Sequence, residues 1–267
     1  MIKLVYDNLR IYKNIQRSSI ILSYTHWLCG DTIMTYGILT NQTCLTLFEK
    51  INRRPYCNEC QKQRSKFLEK DKKHNSCYSN LLLGFSSEDI NIPIDVLIVA
   101  EAHGGGREEN FRPQLDLECE IAGLAEYYLS ESLQKFHQKE MRKLLRTLND
   151  NRKTWVFTDL IKCFVWQGKD KKNNLKASDN KDLAIQKCRI YLDEQIEILR
   201  PNNVLSLGRT VTQQYFKLQG KFEHGSIHEC RIKNHTFNMV FSIFPSRNTA
   251  DLWVANGEWK KILPKLI

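Results

Sequence analysis

A chain of 267 residues with 42% hydrophobic side chains has enough apolar material for one sizeable domain with a self-sufficient core. Forty Lys and Arg against thirty Asp and Glu leave a formal charge of +10, which points to a polyanion such as nucleic acid, although a solvated basic face carries such charge too. The nine cysteines are an odd number; with no secretory-type leader ahead of them and no apolar run of bilayer length, they argue against a disulfide scaffold and a membrane span, and imply a reducing, cytoplasmic setting.

Residues 1–50 show neither a helical stripe nor sustained alternation and read as an N-terminal extension without an assigned role, ahead of a main domain at 51–267. Within the extension, the partly apolar stretch from Ser18 to Cys29 reads as a buried segment. From Arg53 to His74 the chain is strongly basic, with Arg53, Arg54, Lys62, Arg64 and Lys66 around Cys57-Asn-Glu-Cys60, a loop-rich electropositive module. Ile94 to Ala100 is a nearly unbroken β-branched and aliphatic run, as expected of a strand buried on both faces, and it ends in Glu101-Ala-His-Gly-Gly-Gly106. Helical patterns follow at about 119–149. Trp155 to Ile161 is a second strand, Lys169 to Lys181 a charged loop, and Leu183 to Leu199 an amphipathic helix halted by Pro201. Asn203 to Leu207 is a third strand, Phe237 to Phe244 a fourth, and Trp253 to Leu266 has helical character.

Strands alternating with helices predict an α/β fold, a three-layer α/β/α sandwich around a central, mostly parallel four-stranded sheet. Ligands of such sheets bind beyond the carboxyl ends of the strands. That rule selects Glu101–Gly106, Asp159–Lys162, Gly208–Thr210 and Pro245–Asn248.

The order of these signals resembles the iron-sulfur uracil-DNA glycosylases, families four and five of their superfamily. Their pattern is a Cys-x-x-Cys, a strand ending Gly-Glu-Ala-Pro-Gly, an Asn-x-x-Lys-Cys, a Cys on a helix before a strand ending Leu-Gly-Arg, and a final His-Pro-Ser. The matching segments are Cys57-Asn-Glu-Cys60, Ala100-Glu-Ala-His-Gly104, Asp159-Leu-Ile-Lys-Cys163, Cys188, Leu207-Gly-Arg209 and Phe244-Pro-Ser246. The resemblance spans residues 50–267, and Arg247-Asn-Thr249 looks like the family-five form of the last loop. A Cys-x-x-Cys with two distant cysteines suits either a 4Fe-4S cluster or a zinc ion. The resemblance implies the cluster, held by Cys57, Cys60, Cys163 and Cys188 with Cys77 as a rival ligand, stapling the basic loop to the sheet without a redox step.

Cleaving a pyrimidine glycosidic bond sends the base away as an anion, gives the sugar oxocarbenium character and needs a positioned water, all on a flipped nucleotide. The resemblance assigns the carboxylate beside the sugar to Glu101; a structural or capping acid is the other reading of that residue. Three departures redirect the specificity. Asp159 stands where the family has an Asn that pairs with uracil; an ionised carboxylate only accepts, so it suits the amino group of cytosine and clashes with O4 of uracil, unless it merely braces its loop. Arg112-Pro-Gln114 replaces an Arg-Pro-Phe that supplies a stacking plane, leaving Phe111 to stack, and His103 with Gly104, Gly105 and Gly106 makes the lining roomier and more polar. Phe244 stands where the family has a His that stabilises the departing base, a loss on the order of 3 kcal/mol unless His103 or Arg247 substitutes.

Base and DNA contacts are therefore expected from Ala102, Gly104, Gly105, Phe111, Gln114, Phe244, Ser246, Arg247 and Asn248, with Ser246 and Arg247 on phosphate, and catalysis from Glu101, His103 and Asp159. Free removal of ordinary cytosine would destroy the host genome. The expected activity is thus a monofunctional glycosylase acting on 5-modified cytosine, hydroxymethylated or glucosylated, in phage DNA. Uracil repair and a catalytically silent DNA-binding module are the alternatives. The partner is DNA, no membrane is involved, and the expected state is a monomer.

Overall fold

The run from Ile94 onward forms the centre of the sheet because its side chains are apolar on both faces. In the computed structural model of the protein, which describes residues 24–29, 32–38, 84–87, 92–102, 135–161 and 177–267, this run is strand β4, Val96–Ala102. It lies between Trp155–Ile161 (β5) and Asn203–Leu207 (β6), parallel to both. His235–Ser242 (β8) continues parallel beyond β6. These are the four strands expected from the sequence, although β8 ends two residues earlier than the apolar run.

The sheet is larger than that. Among the described residues it has eight strands, four of them antiparallel additions at the two sides of the parallel core. Ile227–Ile232 (β7) forms a hairpin with β8. On the other side Phe85–Ser86 (β3) pairs with β5, and Tyr24–Cys29 (β1) and Thr32–Ile38 (β2) form a hairpin that continues the sheet. The four-stranded expectation is corrected accordingly, and Tyr24–Cys29 and Thr32–Ile38 acquire a place in the outer part of the sheet. Gly84, just ahead of β3, has φ +109°, and a Cβ there would collide with the Phe157 carbonyl, so only glycine lets β3 lie against β5.

Alternation along the strands separates two cores. Val96, Ile98, Ala100, Phe157, Leu205, Leu207 and Val240 face helix α1, Phe136–Asp150, which contributes Met141, Leu144, Leu145 and Leu148 at the i, i+3, i+4, i+7 spacing of one helical stripe. Leu97, Val99, Val156, Val204, Met239 and Phe241 face helix α2, Ala177–Leu199, through Ile185, Tyr191, Leu192 and Ile196. Helix α2 begins at Ala177, so the last residues of the charged 169–181 segment are helical. The C-terminal stretch closes the α1 face: helix α3, Ala250–Ala255, and two short 3-10 turns place Trp253 against Trp259, ring centroids 4.5 Å apart, with Trp259 Nε1 donating to the Glu140 carbonyl at 2.9 Å. Among the described residues no helix is long and apolar enough to cross a membrane.

Candidate active site

Four parallel strands deliver four chain exits to one edge. The register fixes their heights: Ala100 pairs with Asp159, Val99 with Ser206, Ser206 with Phe241 and Leu207 with Ser242. Asp159, Ala100, Leu207 and Ser242 therefore form one rung, with Glu101 and Gly208 a single residue beyond it. Asp159 is 1% exposed and, sharing its rung with Ala100, belongs to the α1 face. Glu101, half-buried, follows Leu97 and Val99 in alternation and leaves β4 toward the α2 face. The two acids thus flank the carboxyl edge from opposite sides of the sheet.

The β6 exit is tightly built. The Gly208 N–H donates to the Ser242 carbonyl at 2.8 Å, and Gly208 has φ +91°, where a Cβ would stand 3.6 Å from Phe244 Cβ. Ser206 and Thr212 hydroxyls lie 2.7 Å apart and Thr212 Oγ1 also reaches the Gly208 carbonyl at 3.3 Å, pinning the turn that presents the exposed Arg209.

The β8 exit is held by His224, which the sequence did not single out, and by Thr249 of the Arg247-Asn-Thr249 loop. His224 Nδ1 accepts the Ile243 N–H at 3.2 Å, which puts the ring proton on Nε2, where it donates to the Glu258 carbonyl at 2.7 Å. Burial, with help from the Lys261 and Lys265 charges, holds His224 below the usual imidazole range despite the Glu258 carbonyl acting the other way. Because the folded protein binds this proton less readily than the unfolded chain, stability is full above about pH 6.5 and falls as the pH drops below it. Thermal melts between pH 7.5 and 5 should therefore show a steeper acid loss for the wild type than for His224→Gln, whose side chain does not titrate; parallel curves would rule this out.

Beyond Ile243, Thr249 ties the loop. Its Oγ1 donates to the Phe244 carbonyl at 2.6 Å and accepts from the Ser246 N–H at 3.0 Å, while the Ser246 hydroxyl stands 3.0 Å away. With Thr249 donating to Phe244, the Ser246 hydroxyl is left to donate to Thr249. Arg247 and Asn248 then project from this turn into solvent. Replacing Thr249 with the near-isosteric Val should lower stability by about 1–2 kcal/mol, measured from the urea midpoint, and weaken DNA affinity as Arg247 and Asn248 lose their fixed turn.

Phe244 packs against the α1-side core, and its ring lies 6.1 Å from that of His137 in the first turn of α1. Burial, followed by the Lys135 charge, lowers the His137 pKa from its ordinary value. The structure thus brings Glu101, Asp159, Phe244, Ser246, Arg247 and Asn248 to one edge, and adds His137. Ala102 ends β4 opposite Ile161. His103, Gly104, Gly105, Phe111, Gln114, Cys57, Cys60, Cys77 and Cys163 lie outside the described residues.

Residues 93–266 match the Uracil DNA glycosylase superfamily. The chain belongs to the uracil DNA glycosylase superfamily. The match opens just ahead of β4 and closes in the last 3-10 turn, so it takes in the parallel core and all four exits. It contains Cys163 and Cys188 and leaves out Cys57 and Cys60. No curated protein matches the chain. Members of the superfamily are DNA glycosylases, hydrolases of DNA, and membership points to that activity here.

Of the four cysteines expected to bind a cluster, Cys188 is described. It is buried on α2 in the same apolar cluster as Leu160 and Ile161, the last two residues of β5 and the approach to Cys163. A buried thiol there fits a metal ligand and a small core residue alike. Among the described residues, no group of three or more His, Cys, Asp or Glu is placed to hold a metal.

Proposed function

We propose that the chain is a monofunctional DNA glycosylase that hydrolyses the N-glycosidic bond of a flipped-out 5-modified cytosine, hydroxymethylated or glucosylated, in phage DNA. The observation that carries the reading is the buried Asp159, one rung-mate away from the Ala100-Glu101 exit, on the strand end where the superfamily resemblance expects the base to be read. A carboxylate accepts from an exocyclic amino group and repels a carbonyl oxygen. Glu101 stands beside the sugar, stabilises positive charge on C1′ and orients water. Arg247, Asn248 and Arg209, all exposed at the same edge, take the phosphates.

Oligonucleotides carrying uracil, hypoxanthine, 5-hydroxymethylcytosine or its glucosylated form, incubated with the protein and then heated in alkali, test this. Strand cleavage at modified cytosine is the expected result. Cleavage at uracil alone would reject the specificity and leave conventional repair; no cleavage with tight binding would leave a silent DNA-binding module.

In the same reading Cys57, Cys60, Cys163 and Cys188 hold a 4Fe-4S cluster, zinc being the alternative. When bound, the group supplies a cross-link between the basic 53–74 segment and the sheet and takes no part in bond cleavage. Protein purified without oxygen should contain iron and show visible absorption that Cys188→Ser diminishes; zinc with no colour would select the alternative.

A further inference from the structure

Resting on the glycosylase reading, we infer that His137 is the hydrogen-bond donor to the departing base.

Helix α1 hands its last turn to β5 at the amino edge of the sheet, where Trp155 Nε1 donates to Asn149 Oδ1 at 2.7 Å. At 1.5 Å per residue the helix is about 22 Å long, which carries its first turn to the opposite edge, where the strands exit. The His137–Phe244 ring contact, 6.1 Å between centroids at 32°, fixes the arrival point beside the β8 exit. Helix α1 covers the face to which Asp159 belongs, and Phe244, whose ring His137 meets, is also the side chain that a Cβ on Gly208 at the β6 exit would touch, at 3.6 Å.

The reaction requires such a group. As the C1′–N1 bond breaks, its electron pair passes to the base and is delocalised onto O2. Water oxygen bonds to C1′, the proton it loses goes to the Glu101 carboxylate, and the base anion is later neutralised by a solvent proton. A donor aimed at O2 lowers the energy of the state with the most charge on the base. Phe244 has no donor, and the Ser242 hydroxyl on the same face donates to the Ile243 carbonyl at 2.9 Å. His137 carries a ring N–H. Held neutral near pH 7 by its burial and by Lys135, it donates a hydrogen bond without giving up its proton.

The test is the dependence of single-turnover release on leaving-group acidity, with uracil paired with 5-fluorouracil and 5-hydroxymethylcytosine paired with 5-fluorocytosine in otherwise identical oligonucleotides. His137→Ala should slow release of the less acidic base by about 10²-fold and the fluorinated one less, because a more stable anion needs the donor less. His137→Gln, which keeps an N–H, should recover part of the loss. A purely structural role would slow both members of a pair equally and follow the variant's loss of thermal stability; that result, or an unchanged rate, overturns the inference while the wild-type activity upholds the glycosylase reading. A wild type that releases none of the four bases and no glucosylated 5-hydroxymethylcytosine overturns both.

Discussion

Glu101→Gln is expected to slow base release in a single turnover by about 10²–10³-fold while binding of the same oligonucleotide, followed by fluorescence anisotropy, stays close to the wild type. The substitution keeps size and shape and removes one negative charge. In the ground state the sugar is neutral and gains little from that charge; as the glycosidic bond stretches C1′ becomes positive, and the interaction grows. A group whose contribution appears in the transition state alone lowers the rate constant and spares affinity. The position of Glu101 suits the role: half-buried, in the penultimate residue of the central strand, on the α2 side of the edge while Asp159 lies on the α1 side. A nucleotide straddling the edge would present sugar to one acid and base to the other. A variant that releases base at the wild-type rate would remove Glu101 from the mechanism, and one that loses DNA binding in proportion to rate would assign it to binding.

The parallel core was legible because strands buried on both faces are mostly apolar, and Ile94–Ala100, Trp155–Ile161 and Asn203–Leu207 are polar only at Asp95, Thr158, Asp159, Asn203 and Ser206. The edge strands were not. β7 reads Ile-His-Glu-Cys-Arg-Ile and alternates between exposed and half-exposed positions, and β1 and β2 mix Thr, His, Tyr and Met, so none gives the signature of a buried strand. A charged helical turn and a charged loop share their composition, which is why the start of α2 at Ala177 was hidden in the 169–181 segment. Glu101 and Asp159 could be placed beforehand by the rule that ligands meet strand ends, and Phe244 by the family resemblance. His137 could not: in Lys135-Phe-His-Gln138 it is an ordinary helix-start residue until the direction of α1 brings it to Phe244. His224 and Thr249 became visible as loop anchors through hydrogen bonds that span the fold or the turn.

Asp159→Asn is expected to invert the base preference, because it changes what the buried end of β5 can offer while conserving its volume. A carboxylate facing O4 of uracil places acceptor against acceptor, whereas an amide turns its NH2 toward O4 and its oxygen toward the N3 imide, meeting both. Toward cytosine the change runs the other way: the charged acceptor for the amino group becomes a neutral one, and charge-assisted hydrogen bonds are about twice as strong as neutral ones. Each matched pair is worth about 1–3 kcal/mol of discrimination, so in a competition between uracil and 5-hydroxymethylcytosine oligonucleotides the ratio of kcat/KM values should shift toward uracil by about 10–10²-fold. The appearance of uracil release is the decisive arm, since a variant that merely folds badly loses activity on every base and acquires none. Asp159→Ala serves as the comparison: without acceptor or donor it should release both bases slowly. If Asp159→Asn keeps the wild-type ratio, the residue braces its loop and the base is read elsewhere, and the case for a modified cytosine loses its support.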